Sequence, residues 1–323
     1  MIASKKHRAI VIAEDTWITA RAIAKWLHLG HEVAEVWCFT KRASLLRPSY
    51  RPIGFINPAW DTRRLLRSHD VPVNRYPSLK KWNGAIERCE QLSANTLLTL
   101  MTHQIIPRNI LNHFGDKALN LHPSLLPAYR GVVPRMGMLM DGKENEFGGI
   151  SLHVLSPGID EGPLLGQTKV RFEANETYFD WDAKTAEAGA QLIENYGIPF
   201  LFGQGKSIPQ NEENSSYRKT FPHEFAIREC LTYQVASAMA STIGRSRALR
   251  CCVADSDGSE KFYRMTDLSK LANKPLGKPP SVGYGYIDFD ISDARVRATR
   301  RRIRHRLHDF SRALKAIKKV QIK

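Results

Sequence analysis

Long apolar runs are missing from this chain: nothing approaches the roughly 18 residues that span a bilayer, so no transmembrane helix is expected. Cysteine is scarce. The five present, Cys38, Cys89, Cys230, Cys251 and Cys252, form no C-x-x-C pair and are odd in number, which argues against a disulfide framework and a zinc ribbon alike. They read as buried or incidental thiols. Glycine is missing where a dinucleotide fold requires it. The turn after the first apolar run is Glu14-Asp15-Thr16-Trp17, without the Gly-x-Gly-x-x-Gly that lets a pyrophosphate approach a helix N-terminus, so NAD is not expected. The later GYGY at Gly283 to Tyr286 reads as a turn. No internal repeat is visible. The basic N-terminus, MIASKKHRAIVIAEDTW, lacks the apolar core and small-residue cleavage site of a secretory signal, and a cytoplasmic location is expected. No metal is expected. His305 and His308 are suggestively spaced, but no Cys, Asp or Glu joins them into a ligand set, and solvated helix positions are the reading.

The chain has 323 residues, 42% of them hydrophobic and 25% charged. That is ordinary globular composition, and the length favours one large core with a smaller second unit. The formal charge of +16 is unevenly placed: residues 291–323 carry twelve Lys/Arg against two Asp, leaving only +6 for the first 290 residues.

Short apolar runs at Ala9–Ala13, Val33–Phe39, Thr96–Met101 and Lys117–His122 are separated by helix-sized polar segments. This alternation implies a parallel sheet with helices on its faces. Asp15 is the expected N-cap of a helix closing near Gly30, and Pro107 the expected first helical residue of a short helix ending at Gly115. Further on, GGISLHVLSPGIDEGPLL reads as a strand from Gly149 to Leu155, a Pro157-Gly158 turn and a second strand begun near Gly162. A helix from about Thr177 to Tyr196, closed by Gly197 and Pro199, follows. The polar segment GQGKSIPQNEENSS reads as a linker, and the stretch around Asp255-Ser256-Asp257-Gly258 as a hairpin. Three units are expected: 1–205, a small mixed α/β unit at 206–290, and a tail at 291–323.

ALNLHPSLLPAYRG places Asn120 and His122 two residues apart at the end of a strand-like run. Side chains alternate along a strand, so both project from one face, into the region where open α/β sheets bind ligands. Asn can donate to a developing oxyanion, and His exchanges a proton near neutral pH. Acyl transfer is the chemistry this pair suits.

LNLHPSLLPAYRG followed by GGISLHVLSPGIDEGPLL resembles the signature of the N10-formyltetrahydrofolate-dependent formyltransferases, over roughly residues 7–202. The resemblance implies a Rossmann-like α/β formyltransferase domain with a mostly parallel sheet, here followed by a smaller C-terminal α+β region that ends in a basic amphipathic helix. It implies a catalytic Asn120, His122 and Asp160, with Gly162 completing Asp-x-Gly. It implies N10-formyltetrahydrofolate as formyl donor, held by the main chain of HQIIPRNIL near Gln104, Ile105 and Ile106 and by the loop Ser156, Pro157, Gly158 and Ile159. His153 is either an auxiliary active-site histidine or an ordinary strand residue. Asn120 and a protonated or proton-sharing His122 would hold the oxyanion, while Asp160 orients His122 and helps remove the amine's proton.

The acceptor is harder to read. YRG-x-x-P at Tyr129 to Pro134 is closer to the tRNA and amino-sugar branches of the family than to the purine branch. In the tail, Val296, Ile303, Leu307, Phe310, Leu314 and Ile317 form one apolar stripe on an otherwise basic helix. Such a helix packs on its own domain, pairs with another chain, lies on an anionic membrane through residues 295–323, or docks on RNA. RNA is placed below a nucleotide-sugar acceptor. Residues 203–323 show one hairpin rather than the β-barrel usual in the methionyl-tRNA branch. The expectation is therefore N-formylation of a nucleotide-linked 4-amino-4,6-dideoxy sugar in surface-polysaccharide (O-antigen) assembly, with methionyl-tRNA as the alternative acceptor. A non-catalytic RNA- or membrane-binding protein on the same fold is the reading of another class; an intact Asn120, His122 and Asp160 opposes it.

Overall fold

A computed structural model describes residues 6–39, 45, 53–218, 226–243, 250–254, 257–265, 267–299 and 303–321. The apolar runs become the middle of a seven-stranded sheet in the order β3-β2-β1-β4-β5-β6-β7: β1 Arg8–Ala13, β2 Glu32–Cys38, β3 Val73–Arg75, β4 Thr96–Leu100, β5 Ala118–His122, β6 Gly149–Val154 and β7 Leu164–Lys169. The first five strands pair in parallel, and β6 and β7 add antiparallel. Both faces are covered, as a parallel sheet requires. In β1, Ala9 and Val11 enter one core cluster and Ile10 and Ile12 the other. In β5 the alternation assigns Leu119 and Leu121 to the first face and Ala118 to the second. Asn120 and His122 therefore share the second face with Ala118.

Several boundaries differ from expectation. Helix Trp17–His28 is capped by Thr16, whose side chain accepts from Thr19 N, while Asp15 is buried against Arg63 Nε at 3.5 Å. Pro107 is the N-cap of Arg108–Phe114 rather than its first residue. Thr177 and Asp180 form the capping box of helix Tyr178–Leu192. Gly197 and Pro199 do not end it, because a π-turn at Ile193–Gly197 carries the chain into Ile198–Leu201.

The C-terminal region holds more strand than the sequence pattern suggested. β8 Ala226–Ile227, β9 Arg250–Ala254 and β10 Glu260–Arg264 form one sheet; β11 Asp267–Ala272, β12 Ser281–Gly283, β13 Tyr286–Ile291 and β14 Ala294–Thr299 form a second, in the order β11-β14-β13-β12. β9 and β10 are the expected hairpin, although its Asp255-Ser256 lies outside the described residues. Val296, read as part of a helical stripe, is instead fully buried in β14. Its neighbours Arg295 and Arg297 are cross-strand partners of Asp290 and Asp288, ion-paired at 3.1 and 2.6 Å. Two of the tail's arginines thus belong to a sheet.

The terminal helix spans Ile303–Gln321; the side chains of Ile303, His305, Leu307 and His308 lie outside the described residues. Ala313, Ala316 and Ile317 are buried in the first core, with Phe310, Leu314 and Val320 packed against it. Lys319 Nζ reaches Asp180 Oδ1 at 2.7 Å. Of the four destinations open to this stripe, its described part takes packing on its own chain. Among the described residues no helix is long and apolar enough to cross a membrane.

One buried charge anchors the β2–β3 edge. Glu35, fully buried, accepts from both Arg88 Nε and Nη2 at 3.1 Å, from Trp37 Nε1 and Tyr76 OH at 2.9 Å, and from Asn74. Burial pushes this carboxyl up, but the hydrogen bonds from Arg88, Asn74, Trp37 and Tyr76 outweigh it and hold the group below the usual glutamate range. Glu35→Gln is expected to lower unfolding free energy at pH 7 by about 1–3 kcal/mol, the cost of unsatisfied buried donors. The carboxylate's contribution is present above the ordinary glutamate value near ~4.3 and is lost as pH falls through the lower folded value. Denaturant unfolding of both proteins, repeated in acid, should show the gap closing below about pH 4.

Candidate active site

β5 delivers Asn120 and His122 together, 8% and 4% exposed. The strand opposite is β6, in which His153 directly faces Asn120. Because β6 runs antiparallel it ends beside Leu119, so the loop after it starts at the far end of β5. That loop folds back and turns through Asp160, which has φ +54°, to bring its carboxylate to both residues. Asp160 Oδ1 accepts from Asn120 Nδ2 at 3.3 Å and Oδ2 lies 3.4 Å from His122 Nδ1. The three residues proposed as a triad converge.

Partners fix the orientation of each group. Thr99 Oγ1 donates to Asn120 Oδ1 at 2.7 Å, which turns the amide N–H groups toward Asp160 and His153. His153 Nδ1 lies 2.9 Å from the Val154 carbonyl and must donate there, leaving Nε2 to accept from Asn120 Nδ2 at 2.9 Å. His153 is therefore more than a strand residue: it and Thr99 position Asn120. Thr99 escaped the sequence reading, although a threonine amid TLLTLM was a visible polar break.

His122 engages oxygen on both sides, Asp160 Oδ2 at Nδ1 and the Tyr129 carbonyl at Nε2, 2.9 Å away. Burial pushes this imidazole below the usual histidine range, and the nearby Asp160 carboxylate and Tyr129 carbonyl only partly offset it. Asp160 goes the same way for another reason. Burial alone would raise its carboxyl, but the His122 and His153 rings and the Gly131 N–H, which donates to Oδ2 at 2.8 Å, hold it far below the ordinary aspartate value. Asp160 is thus ionised at neutral pH, and burial favours the uncharged form of the His122 ring beside it.

The donor N–H and the Tyr129 carbonyl come from a loop with little freedom. Tyr129 and Val133 have φ of +57°, and Gly131 has φ +94°. A Cβ on Gly131 would also meet the Tyr217 ring at 2.2 Å.

The two loops assigned to folate lie on the face shared by Asn120 and His122: Ile106 belongs to the second core cluster, and Leu155, just ahead of Ser156, packs against it. Ile105 and Ile159 are exposed apolar side chains, 55% and 45% accessible. Ser156 Oγ is buried and has no hydrogen-bond partner among the described residues. Gln104 N–H is already given to Thr102 Oγ1 at 3.2 Å. A Cβ at Gly158 would meet only the carboxylate end of the exposed Glu161 side chain, and Pro157 is exposed at the turn. Exposed apolar side chains with an unused hydroxyl suit an aromatic ligand bearing polar edges.

Residues 72–195, which contain Asn120, His122 and Asp160, match the family model for formyl transferase domains. The chain is 30% identical over 203 residues to a methionyl-tRNA formyltransferase of Phenylobacterium zucineum, covering 62% of this chain and 61% of that protein, and 32% identical over 157 residues to one of Bacillus thuringiensis, covering 48% and 49%. It thus spans about half to three-fifths of the length of these relatives. Two solved structures match along nearly the whole chain, each at 16% identity. An N-formyltransferase from Helicobacter canadensis, in complex with folinic acid and dTDP-3-aminofucose, has TM-score 0.58 and covers 90% of this chain and 99% of its own. The sugar 3N-formyl transferase WlaRD, solved in the presence of dTDP and 5-N-formyl-THF, has TM-score 0.59 with coverage of 91% and 98%. The fold is thus one shared with these solved N-formyltransferases, and residues 72–195 of this chain are similar to formyl transferase domains.

Proposed function

We propose that this protein transfers the formyl group of N10-formyltetrahydrofolate to the primary amine of a nucleotide-linked amino sugar, of the 4-amino-4,6-dideoxy type, in surface-polysaccharide assembly. The observation that carries formyl transfer is the convergence of Asn120, His122 and Asp160 at 3.3–3.4 Å around one carboxylate. The folate supplies the activated formyl carbon, and Ile105, Ile106, Ser156 and Ile159 are the residues that would hold it.

Attack by an amine creates two charges to manage. Asn120, its amide locked by Thr99 and His153, gives the N–H now directed at Asp160 to the developing oxyanion; one such preorganised donor is worth about 3–4 kcal/mol of barrier. Neutral His122, exchanging its contact with Tyr129 for the reacting atoms, takes the proton that the attacking amine sheds, shares it with the same oxygen, and passes it to N10 of the folate as the carbon–N10 bond breaks, which releases tetrahydrofolate and the formylated amine. Asp160 orients that ring and stabilises the imidazolium, the role a carboxylate plays in other triads.

Support for a sugar acceptor comes from extent. The sugar N-formyltransferase fold accounts for about nine-tenths of this chain, whereas the sequence match to a methionyl-tRNA enzyme covers 61% of that protein. Charged methionyl-tRNA is the second reading, favoured by those same relatives and by a C-terminal region that is mostly strand. Purified protein with formyl donor, offered TDP-, UDP- and GDP-linked 3-amino and 4-amino sugars in parallel with initiator methionyl-tRNA, should formylate a sugar nucleotide. Formyl-methionine as the sole product would overturn the acceptor assignment.

A further inference from the structure

Residues 203–218, whose composition reads as a linker, are a strap drawn across both loops of the active site. Ile208 exchanges two backbone hydrogen bonds of 2.8 Å with Leu164, just beyond the Asp160 loop. Ser216 N donates to Pro127 O at 3.1 Å and Ser216 O accepts from Arg130 N at 2.9 Å, on the loop that carries Tyr129 and Gly131. Ser216 Oγ takes the Tyr129 N–H at 2.9 Å.

Between these anchors stands Gln210. Its Nε2 donates to the main-chain carbonyls of Asp160 and Gly162, both at 2.7 Å. Its Oε1 accepts from Arg130 Nη2 at 2.8 Å and Nε at 3.3 Å. Two carbonyls on one side and a guanidinium on the other leave the amide a single orientation. Arg130, 7% exposed, is held in turn by Glu212 at 2.7 and 2.8 Å.

The bonds close a circuit. Gln210 grips the main chain at Asp160, Asp160's carboxylate accepts from Gly131 N–H, and the residue before Gly131 is Arg130, which returns to Gln210. Asp160 needs such a hold, because φ +54° is a conformation that an L-residue leaves unless its surroundings impose it. We infer that Gln210 is a positioning residue of the active site, which, through Arg130, pins the Asp160 backbone so that its carboxylate meets His122. No substrate contact is involved.

The catalytic consequence rests on the formyl-transfer reading, but the geometry is testable without it. Gln210→Glu keeps the shape and the Arg130 contact while replacing the donor to two carbonyls by oxygen; Gln210→Met keeps the length and removes every hydrogen bond. In both, kcat should fall about tenfold or more, the order expected when a reacting group drifts from its place, with KM for donor and acceptor within about threefold because no binding energy is removed. The His122 ring titration, followed by NMR, should move to lower pH as in Asp160→Asn, since the carboxylate that favours its proton has been displaced. A wild-type His122 titration with kcat within about twofold in either folded variant would make the strap a mere connection. Loss of the fold in both would equally overturn the inference, for Gln210 would then hold the domain rather than the carboxylate. Should the wild-type protein formylate nothing, the functional reading fails, and the His122 titration still decides the role of Gln210.

Discussion

His122→Ala should leave a folded protein whose formyl transfer is slower by about two to four orders of magnitude, the range over which a positioned acid–base group acts. The ring is 4% exposed and held between Asp160 and the Tyr129 carbonyl. Asp160→Asn should cost a comparable factor, and the pH profile separates the two roles. Burial already sets the His122 imidazole below the usual histidine range, with Asp160 the principal influence opposing it. The acid limb of activity therefore lies below about pH 6.5, and Asp160→Asn should move it lower still while reducing the maximum. A limb that moved upward would mean that Asp160 does not act on His122. Stability follows the same sign. Below about pH 6.5 the unfolded chain binds a proton that the buried ring refuses, so His122 contributes to acid destabilisation from there downward, and His122→Ala should blunt that onset. Asp160, held far below its ordinary value, contributes stability above about pH 3.9 that is lost only in stronger acid. Steady-state rates between about pH 4 and 8, with thermal unfolding carried down to about pH 2, test both statements.

What was legible in the sequence was whatever a local pattern records. Ala9–Ala13, Val33–Phe39, Thr96–Met101 and Lys117–His122 announce themselves as buried parallel strands, and the structure places β1, β2, β4 and β5 within a residue of them. Asn120 and His122 sharing a face follows from period two alone. Asp160 needed more: its loop starts at the far end of β5 and folds back, so only resemblance to a family connected it with the other two. The strap was invisible for a stronger reason. Its bonds join residues 44 to 89 positions apart through amides, hydroxyls and main chain, and a polar segment with such partners has the composition of one with none. Charge misled in the tail. Counting Arg295 and Arg297 as part of a basic helix hid the alternation of Ala294, Val296 and Ala298, which are buried while the arginines pair with Asp290 and Asp288.

Gly162→Ala is expected to damage both the fold and the rate. A Cβ on Gly162 would lie 1.8 Å from the Val154 carbonyl oxygen and 2.9 Å from its carbonyl carbon. That obstacle is main chain, and Val154 is itself tied into the site: its N–H donates to Pro163 O and its carbonyl receives the His153 ring. Nothing flexible can yield, so the backbone at Gly162 must move. Two neighbours move with it. Gly162 O loses its place on Gln210 Nε2, and Asp160, two residues upstream, is drawn away from His122 and Gly131. Overpacking of this kind costs about 1–3 kcal/mol, and displacement of a reacting group by around 1 Å costs roughly a hundredfold in rate. Gly30 makes the control, because it is glycine by conformation alone, with φ +84° and nothing within 4 Å of a Cβ. Gly30→Ala should lose stability through backbone strain and keep its turnover per folded molecule; Gly162→Ala should lose both. Equal turnover in the two variants, measured on protein shown to be folded, would mean that the Asp-x-Gly glycine does not set the position of Asp160.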